Sequence, residues 1–105
     1  MNASVDRATL LLSLQRGLLG EVHPQLRQAS IEADALSQVV RLRFEYDGTP
    51  APVVQESCSC AATEVIADFP SPWRLEEQHL AVPQPNKLQP LAFVAYVRAE
   101  AEVAT

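Results

Sequence analysis

The feature that most constrains the fold is the alternation of apolar and polar side chains in the segment VVRLRFEY, residues 39–46. Successive side chains of a strand point to opposite faces, so a period of two predicts a strand that is buried on one face. One face carries Val40, Leu42, Phe44 and Tyr46, and the other carries Val39, Arg41, Arg43 and Glu45. The preceding segment ASIEAD, residues 29–34, alternates in the same way, and the few residues around 35–37 predict an antiparallel hairpin.

Leucines at helical spacing precede this hairpin and predict the first helix. They are Leu10, Leu11, Leu14 and Leu18. Ser4 is the predicted N-cap, and Gly20 is predicted to end the helix in a left-handed conformation. Leu12 and Leu19 fall on the flank of the leucine stripe, which leaves two interpretations open. They lie either under a loop or at the sheet edge, or else on a surface for a partner or a second copy.

The second predicted helix begins at TPAP, with Thr49 as its cap and Pro50 in its first turn, and ends at residues 69–70. Its predicted core face consists of Val54, Cys58, Ala61, Ala62, Val65 and Phe69. Cys60 lies about 200° around the helix from Cys58, at about 100° per residue. The two thiols therefore point apart and cannot bond to each other or hold a metal together. We predict no metal site, no redox site and no cofactor.

Two further strands are predicted in WRLEEQHLAV, residues 73–82, and LAFVAYVRA, residues 91–99. The segment PQPNKLQP between them is a proline-rich loop. Apolar residues on both faces of the last strand predict a central position in the sheet. The expected fold class is α+β in the order αββαββ, with two helices on one face of a four-stranded, mainly antiparallel sheet. We expect a single domain over residues 1–105, with residues 100–105 frayed.

The charge and hydropathy of the chain exclude some classes of function. It has 8 basic and 13 acidic residues and a net charge of −5, which argues against a nucleic-acid binder. It has no 18-residue apolar run and no signal-peptide pattern, so we expect a cytoplasmic protein without a membrane partner. Its two cysteines agree with a reducing compartment.

The sequence contains no evident catalytic set, and we predict that the protein is not an enzyme. Ser57 and Ser59 have no neighbouring histidine in the sequence, and residues 76–77, two glutamates, point to opposite faces of a strand. One route remains open to a small hydrolase or transferase. It would require a pocket that joins His79 with Ser57 or Ser59 across the sheet.

Three stretches together resemble a group of small bacterial proteins with the order helix, hairpin, helix, hairpin. They are RGLLGEVHPQLRQASIEAD at 16–34, RFEYDG at 43–48 and ATEVIADFP at 62–70. The group comprises immunity proteins of polymorphic toxin and contact-dependent inhibition systems. The resemblance implies a cytoplasmic protein that binds one cognate toxin domain and blocks it, and it carries no catalytic motif with it.

An acidic inhibitor would be steered onto a basic toxin, so we predict that exposed carboxylates contact the partner. The predicted contact residues are Glu32, Asp34, Asp47, Glu56, Glu64 and Asp68. The main alternative function is a homodimeric structural or regulatory domain, which would use the wide leucine face or an open sheet edge.

Overall fold

A computed structural model describes residues 5–101 and contains the predicted order of two helices and four strands. The elements are α1 Arg7–Leu18, β1 Leu26–Asp34, β2 Val39–Tyr46, α2 Pro52–Ala67, β3 Arg74–Ala81 and β4 Phe93–Val97. The α+β class is therefore confirmed. Within residues 5–101, no helix has the length and apolarity needed to cross a bilayer.

The prediction of a mainly antiparallel sheet is wrong, because the sheet is mixed. Its strand order is β3-β2-β1-β4. β1 pairs antiparallel with β2, as the predicted hairpin requires, and also antiparallel with β4. β2 pairs in parallel with β3, since α2 lies between these strands and returns the chain to the end of the sheet where β2 began.

The predicted central position of the last strand is also wrong, because β4 lies at one edge of the sheet. β3 lies at the other edge, so β3 and β4 do not form the second hairpin that the resemblance implied. The second apolar face of β4 is not covered, and its residues Val94 and Val97 are exposed.

Both helices pack on the apolar face of the sheet that the alternation predicted. α1 packs mainly on β4 and β1, and α2 packs mainly on β3 and β2. The core includes the predicted apolar residues of β2 together with Leu10, Leu14 and Leu18 of α1. Five of the six predicted core residues of α2 are buried, and the sixth, Phe69, is partly buried against them.

The helix caps differ from the predicted ones. Ser4 lies outside the described residues, and Asp6 is the N-cap of α1, with its carboxylate accepting a hydrogen bond from the backbone N–H of Thr9 at 2.8 Å. Thr49 does not cap α2. That helix has Ala51 at its N-cap position and Pro52, not the predicted Pro50, in its first turn. Gly20 has a φ of 78°, the left-handed conformation that was predicted after α1.

The opposite face of the sheet, which carries the polar side chains of β1 and β2, is covered by the connection from β3 to β4. The carboxylate of Glu45 is fully buried and accepts hydrogen bonds from the side chain of Gln28 at 3.0 Å and the backbone N–H of Gln89 at 2.6 Å. The hydroxyl of Ser30, also fully buried, accepts one from the backbone N–H of Leu91 at 2.9 Å. These polar residues therefore hold the 82–92 connection and do not face solvent.

A buried arginine fixes the first half of the same connection. The guanidinium of Arg27 donates to the carbonyls of Val82 at 2.6 Å and Asn86 at 2.9 Å. It also forms an ion pair with Glu100 at 2.6 Å, and Glu100 accepts a second contact from Arg98 at 2.9 Å. Two arginines thus bind Glu100, the third residue after β4.

The two helices approach each other most closely at Gly17. A Cβ atom added there would lie 2.8 Å from the backbone oxygen of Ala61. We expect Gly17→Ala to lower the free energy of unfolding by about 1–3 kcal/mol, because the helices must separate. The cost should exceed the helix propensity of about 1 kcal/mol that alanine adds.

Urea unfolding followed by circular dichroism measures this change. Gln15→Ala, at an exposed position of the same helix, is the control and should change stability by less than about 0.5 kcal/mol. A Gly17→Ala variant as stable as the parent would contradict the close approach.

The ion pairs around Glu100 predict a loss of stability in acid. The hydrogen bond from Arg27 lowers the pKa of Glu100, and the backbone N–H of Gln84, with Arg98 second, lowers the pKa of Asp47. A lowered pKa in the folded state stabilises the fold above the unfolded-state value, and this contribution disappears as the pH falls through the folded value.

We therefore expect the urea midpoint to fall as the pH is lowered from about 5 towards 2. Glu100→Gln should be less stable at neutral pH and should show a smaller fall. Glu64→Gln, which removes an exposed carboxylate of α2, is the control and should keep the parental pH profile. An identical fall in Glu100→Gln would show that the ion pair does not contribute.

Candidate functional site

The predicted contact residues at the end of β1 also stabilise the fold. Asp34 accepts hydrogen bonds from the backbone N–H groups of Leu36 at 3.0 Å and Ser37 at 3.3 Å, and its bonds to Ser37 chiefly lower its pKa. Glu32 accepts a bond from the backbone N–H of Ala92 at 3.3 Å and lies 3.6 Å from the guanidinium of Arg41. Both carboxylates are half-buried, Glu32 on the internal strand β1 and Asp34 at the turn that follows it.

Asp47 and Asp68 are likewise bound internally. Asp47 forms an ion pair with Arg98 at 3.0 Å, at the end of the sheet opposite to Asp34. Asp68 accepts hydrogen bonds from the hydroxyl of Ser13 at 2.6 Å and the guanidinium of Arg16 at 3.2 Å, which ties the end of α2 to α1. The hydroxyl of Ser13 chiefly lowers the pKa of Asp68.

Glu56 and Glu64 are the two predicted contact residues on the outer face of α2. Both are exposed, and neither forms an ion pair with the residues that the structure describes. The helix Pro52–Ala67 contains no lysine or arginine that could offset them. The structure thus separates the six carboxylates into several locations, and their contact with a partner stays a prediction.

A chain of polar side chains lies between α2 and β3. The hydroxyl of Ser59 donates to the carboxylate of Glu77, which also lies 2.6 Å from Nε2 of His79. Nδ1 of His79 lies 2.7 Å from the hydroxyl of Tyr46, whose pKa is raised by burial. Sequence reasoning gave Glu77 no role, although its place on the helix-facing side of β3 follows from the alternation around it.

This arrangement does not place the imidazole of His79 beside a serine hydroxyl as a general base. Both ring nitrogens of His79 have other partners, and the carboxylate of Glu77 lies between His79 and Ser59. Ser57 instead lies 2.9 Å from Nε2 of His23, on the loop after α1. The hydrolase alternative requires His79 to contact Ser57 or Ser59 directly, and His79 contacts neither of them.

A groove of about 430 Å³ lies beside the first turns of α2. It is lined by Pro50, Pro52, Gln55, Glu56 and Ser59. Glu56 thus contributes a carboxylate to its rim. No group of three residues suited to holding a metal ion occurs between residues 5 and 101.

The two cysteines are arranged as the helical spacing predicted. Cys58 is buried in the core, and burial raises its pKa to about 11. Cys60 is exposed on the outer face of α2. The thiolate is the reactive form of cysteine, so Cys58, with its raised pKa and its burial, is protected, whereas Cys60 is accessible to reagents.

We expect one thiol per chain to react with Ellman's reagent in the native protein at pH 8, and a second to react only in denaturant. Cys60→Ser should abolish the native reaction, whereas Cys58→Ala should leave it. The absorbance of the released thiolate at each stage measures the stoichiometry. Equal native rates at both cysteines would contradict the burial of Cys58.

The sequence of the chain matches the model of a known protein family. Residues 7–100, which include both helices and all four strands of the described structure, match the family model described as MafI2 immunity protein. No curated protein matches the chain. The family match confirms the resemblance to small immunity proteins of bacterial toxin systems.

Proposed function

The chain belongs to the MafI2 immunity protein family, and on this premise we propose that it neutralises one cognate bacterial toxin domain by direct protein–protein contact in the cytoplasm. The family match over residues 7–100 is the observation that carries the proposal. The inhibitor would act stoichiometrically, because it blocks the active site of the toxin or covers a surface next to it. No turnover by this chain is required.

The charge of the chain supports a basic partner. The net charge is −5, and Glu56 and Glu64 project from a helix without basic residues. Opposite charges on two proteins raise the rate of encounter and disfavour wrong partners. A toxin domain that acts on nucleic acid is basic for its own substrate, so it would meet this surface favourably.

Three of the predicted contact carboxylates already bind groups within the protein, so they attract a basic partner less strongly. The charges of Asp47 and Asp68 are offset by Arg98 and Arg16, and Asp34 is occupied in a turn. We therefore assign the main steering role to the exposed glutamates of α2. The remaining carboxylates stabilise the fold and contribute to the electrostatic potential of the whole protein.

Affinity capture of the tagged chain from its native bacterium, with mass spectrometry of the bound material, tests the proposal. We expect one protein, or a fragment of it, at near-equal amount. That fragment, expressed alone in a neutral host, should arrest growth, and coexpression of this chain should restore growth. A captured protein that is harmless when expressed, or growth arrest that this chain does not relieve, would overturn the proposed function.

The homodimeric alternative predicts a different outcome. Sedimentation velocity across a wide concentration range would then show a dimer of this chain, and capture would return only the bait. Such a result, obtained while the toxin gene is expressed, would replace the neutralisation proposal by a structural or regulatory one.

We expect Glu56→Gln with Glu64→Gln to slow association with the recovered toxin domain about three- to tenfold and to weaken its dependence on salt. Stopped-flow or surface-based kinetics at several ionic strengths measures both effects. Leu36→Lys with Asn86→Lys is the control, because it changes the net charge by the same amount at exposed positions away from α2. Equal slowing by both variants would assign steering to net charge and not to the helix.

A further inference from the structure

The lining of the groove beside the first turns of α2 is brought together by helical geometry. Pro52, Gln55, Glu56 and Ser59 are spaced i, i+3, i+4 and i+7, so they lie on one face of the helix. Pro50, in the segment before the helix, completes the lining. The volume of about 430 Å³ falls within the range of about 300–1,000 Å³ that is usual for binding clefts.

Contacts from other elements hold both ends of the groove. The side-chain amide of Gln25 donates to the carbonyl of Thr49 at 2.7 Å, and its oxygen accepts from the backbone N–H of Ala51 at 3.0 Å. The residues on either side of Pro50 are therefore fixed. At the other end, the hydroxyl of Ser59 is bonded to a carboxylate of β3. A surface that is ordered before binding loses less conformational entropy when it binds, so these contacts favour a binding role.

The polar groups of the groove are mainly acceptors of hydrogen bonds. The carboxylate of Glu56 only accepts. The hydroxyl of Ser59 has one proton and donates it to Glu77, so only its lone pairs remain for a ligand. Gln55 presents its amide oxygen when the amide is turned towards the groove. A ligand with several N–H donors therefore matches these groups.

The N-terminus of a helix usually attracts an anion, because its first N–H groups have no partner. Here Pro50 and Pro52 have no N–H to offer. The N–H groups of Val54 and Gln55 are both bonded to the carbonyl of Ala51, at 3.0 Å. This helix end thus offers few donors to an anion, and the groove beside it favours a cation.

The charge of the groove is not neutralised by the protein itself. Glu56 is exposed and forms no ion pair with any residue between 5 and 101. None of the five lining residues is basic, and the helix Pro52–Ala67 contains no lysine or arginine. A cation that entered the groove would therefore meet an unpaired carboxylate.

We propose that this groove binds an arginine side chain of the toxin domain. A guanidinium carries five N–H donors in a planar fork, and two of them can pair with the carboxylate of Glu56 while others reach Ser59 or Gln55. The alkyl stem of the arginine would pack against the rings of Pro50 and Pro52. This inference rests on the proposed function and specifies one contact of its binding surface.

The test uses the toxin domain recovered by capture as the probe, with isothermal titration and stopped-flow kinetics on the purified full chain. We expect Glu56→Gln to raise Kd about ten- to thirtyfold, mainly through faster dissociation, because it removes a charged acceptor from a formed contact. The position is exposed, so the variant should keep the parental urea midpoint.

Glu64→Gln is the matched control. It removes the same charge from the same helix about two turns beyond Glu56, at an exposed position outside the groove. It should slow association, as the loss of a steering charge does, and should change the dissociation rate by less than about twofold.

A double-mutant cycle identifies the group that occupies the groove. Each exposed arginine of the toxin domain is changed to alanine, and Kd is measured with the parent chain and with Glu56→Gln. We expect one arginine whose removal raises Kd about tenfold with the parent but less than about twofold with Glu56→Gln. The same arginine should keep its full effect with Glu64→Gln.

Four results would overturn the arginine proposal. The first is a parental Kd in Glu56→Gln while the toxin complex still forms, which leaves the proposed function intact. The second is equally faster dissociation in Glu56→Gln and Glu64→Gln. The third is a cycle in which Glu56 couples to no arginine of the toxin. The fourth is self-association of the parent that Glu56→Gln abolishes, which would assign the groove to a second copy. A failure of the parent to bind any toxin would instead overturn the proposed function itself.

Discussion

The topology depends on the buried carboxylate of Glu45 and the polar residues beside it. Glu45 and Ser30 accept backbone hydrogen bonds from the connection between β3 and β4, and Arg27 donates to two carbonyls of the same segment. An unpaired buried carboxylate is costly, so these contacts strongly favour one path for the connection. Because that path crosses the polar face, β4 arrives beside β1 and not beside β3.

What could be predicted from the sequence is what depends on local spacing, and what could not be predicted depends on these long-range contacts. The burial of Val40 and Phe44 follows from local alternation, and the burial of Cys58 follows from helical spacing. The edge position of β4 could not be predicted, since it depends on hydrogen bonds between residues far apart in the chain. The alternation places Glu45 on the polar face of β2, where a residue is usually solvated. It is buried only because the connection between β3 and β4 crosses that face.

The candidate site was less predictable than the fold for a related reason. An aspartate in a sequence carries no sign of its partner, so the sequence does not distinguish Asp47 and Asp68, which pair with Arg98 and Arg16, from free surface charges. The glutamates of α2 could be assigned better, because helical spacing alone places them on the outer face. The contact of His23 with Ser57 joins the loop after α1 to α2, and no local pattern predicts it.

The order of the strands has a consequence for how the chain reaches its native state. β1 and β2 are joined by a short turn and can pair early, whereas the pairing of β1 with β4 brings Gln28 opposite Val97 across most of the chain. Closing so long a loop is slow compared with forming a hairpin. Until β4 arrives, one edge of the central strand β1 is open to other chains, so this interval is the period of greatest risk of misassembly.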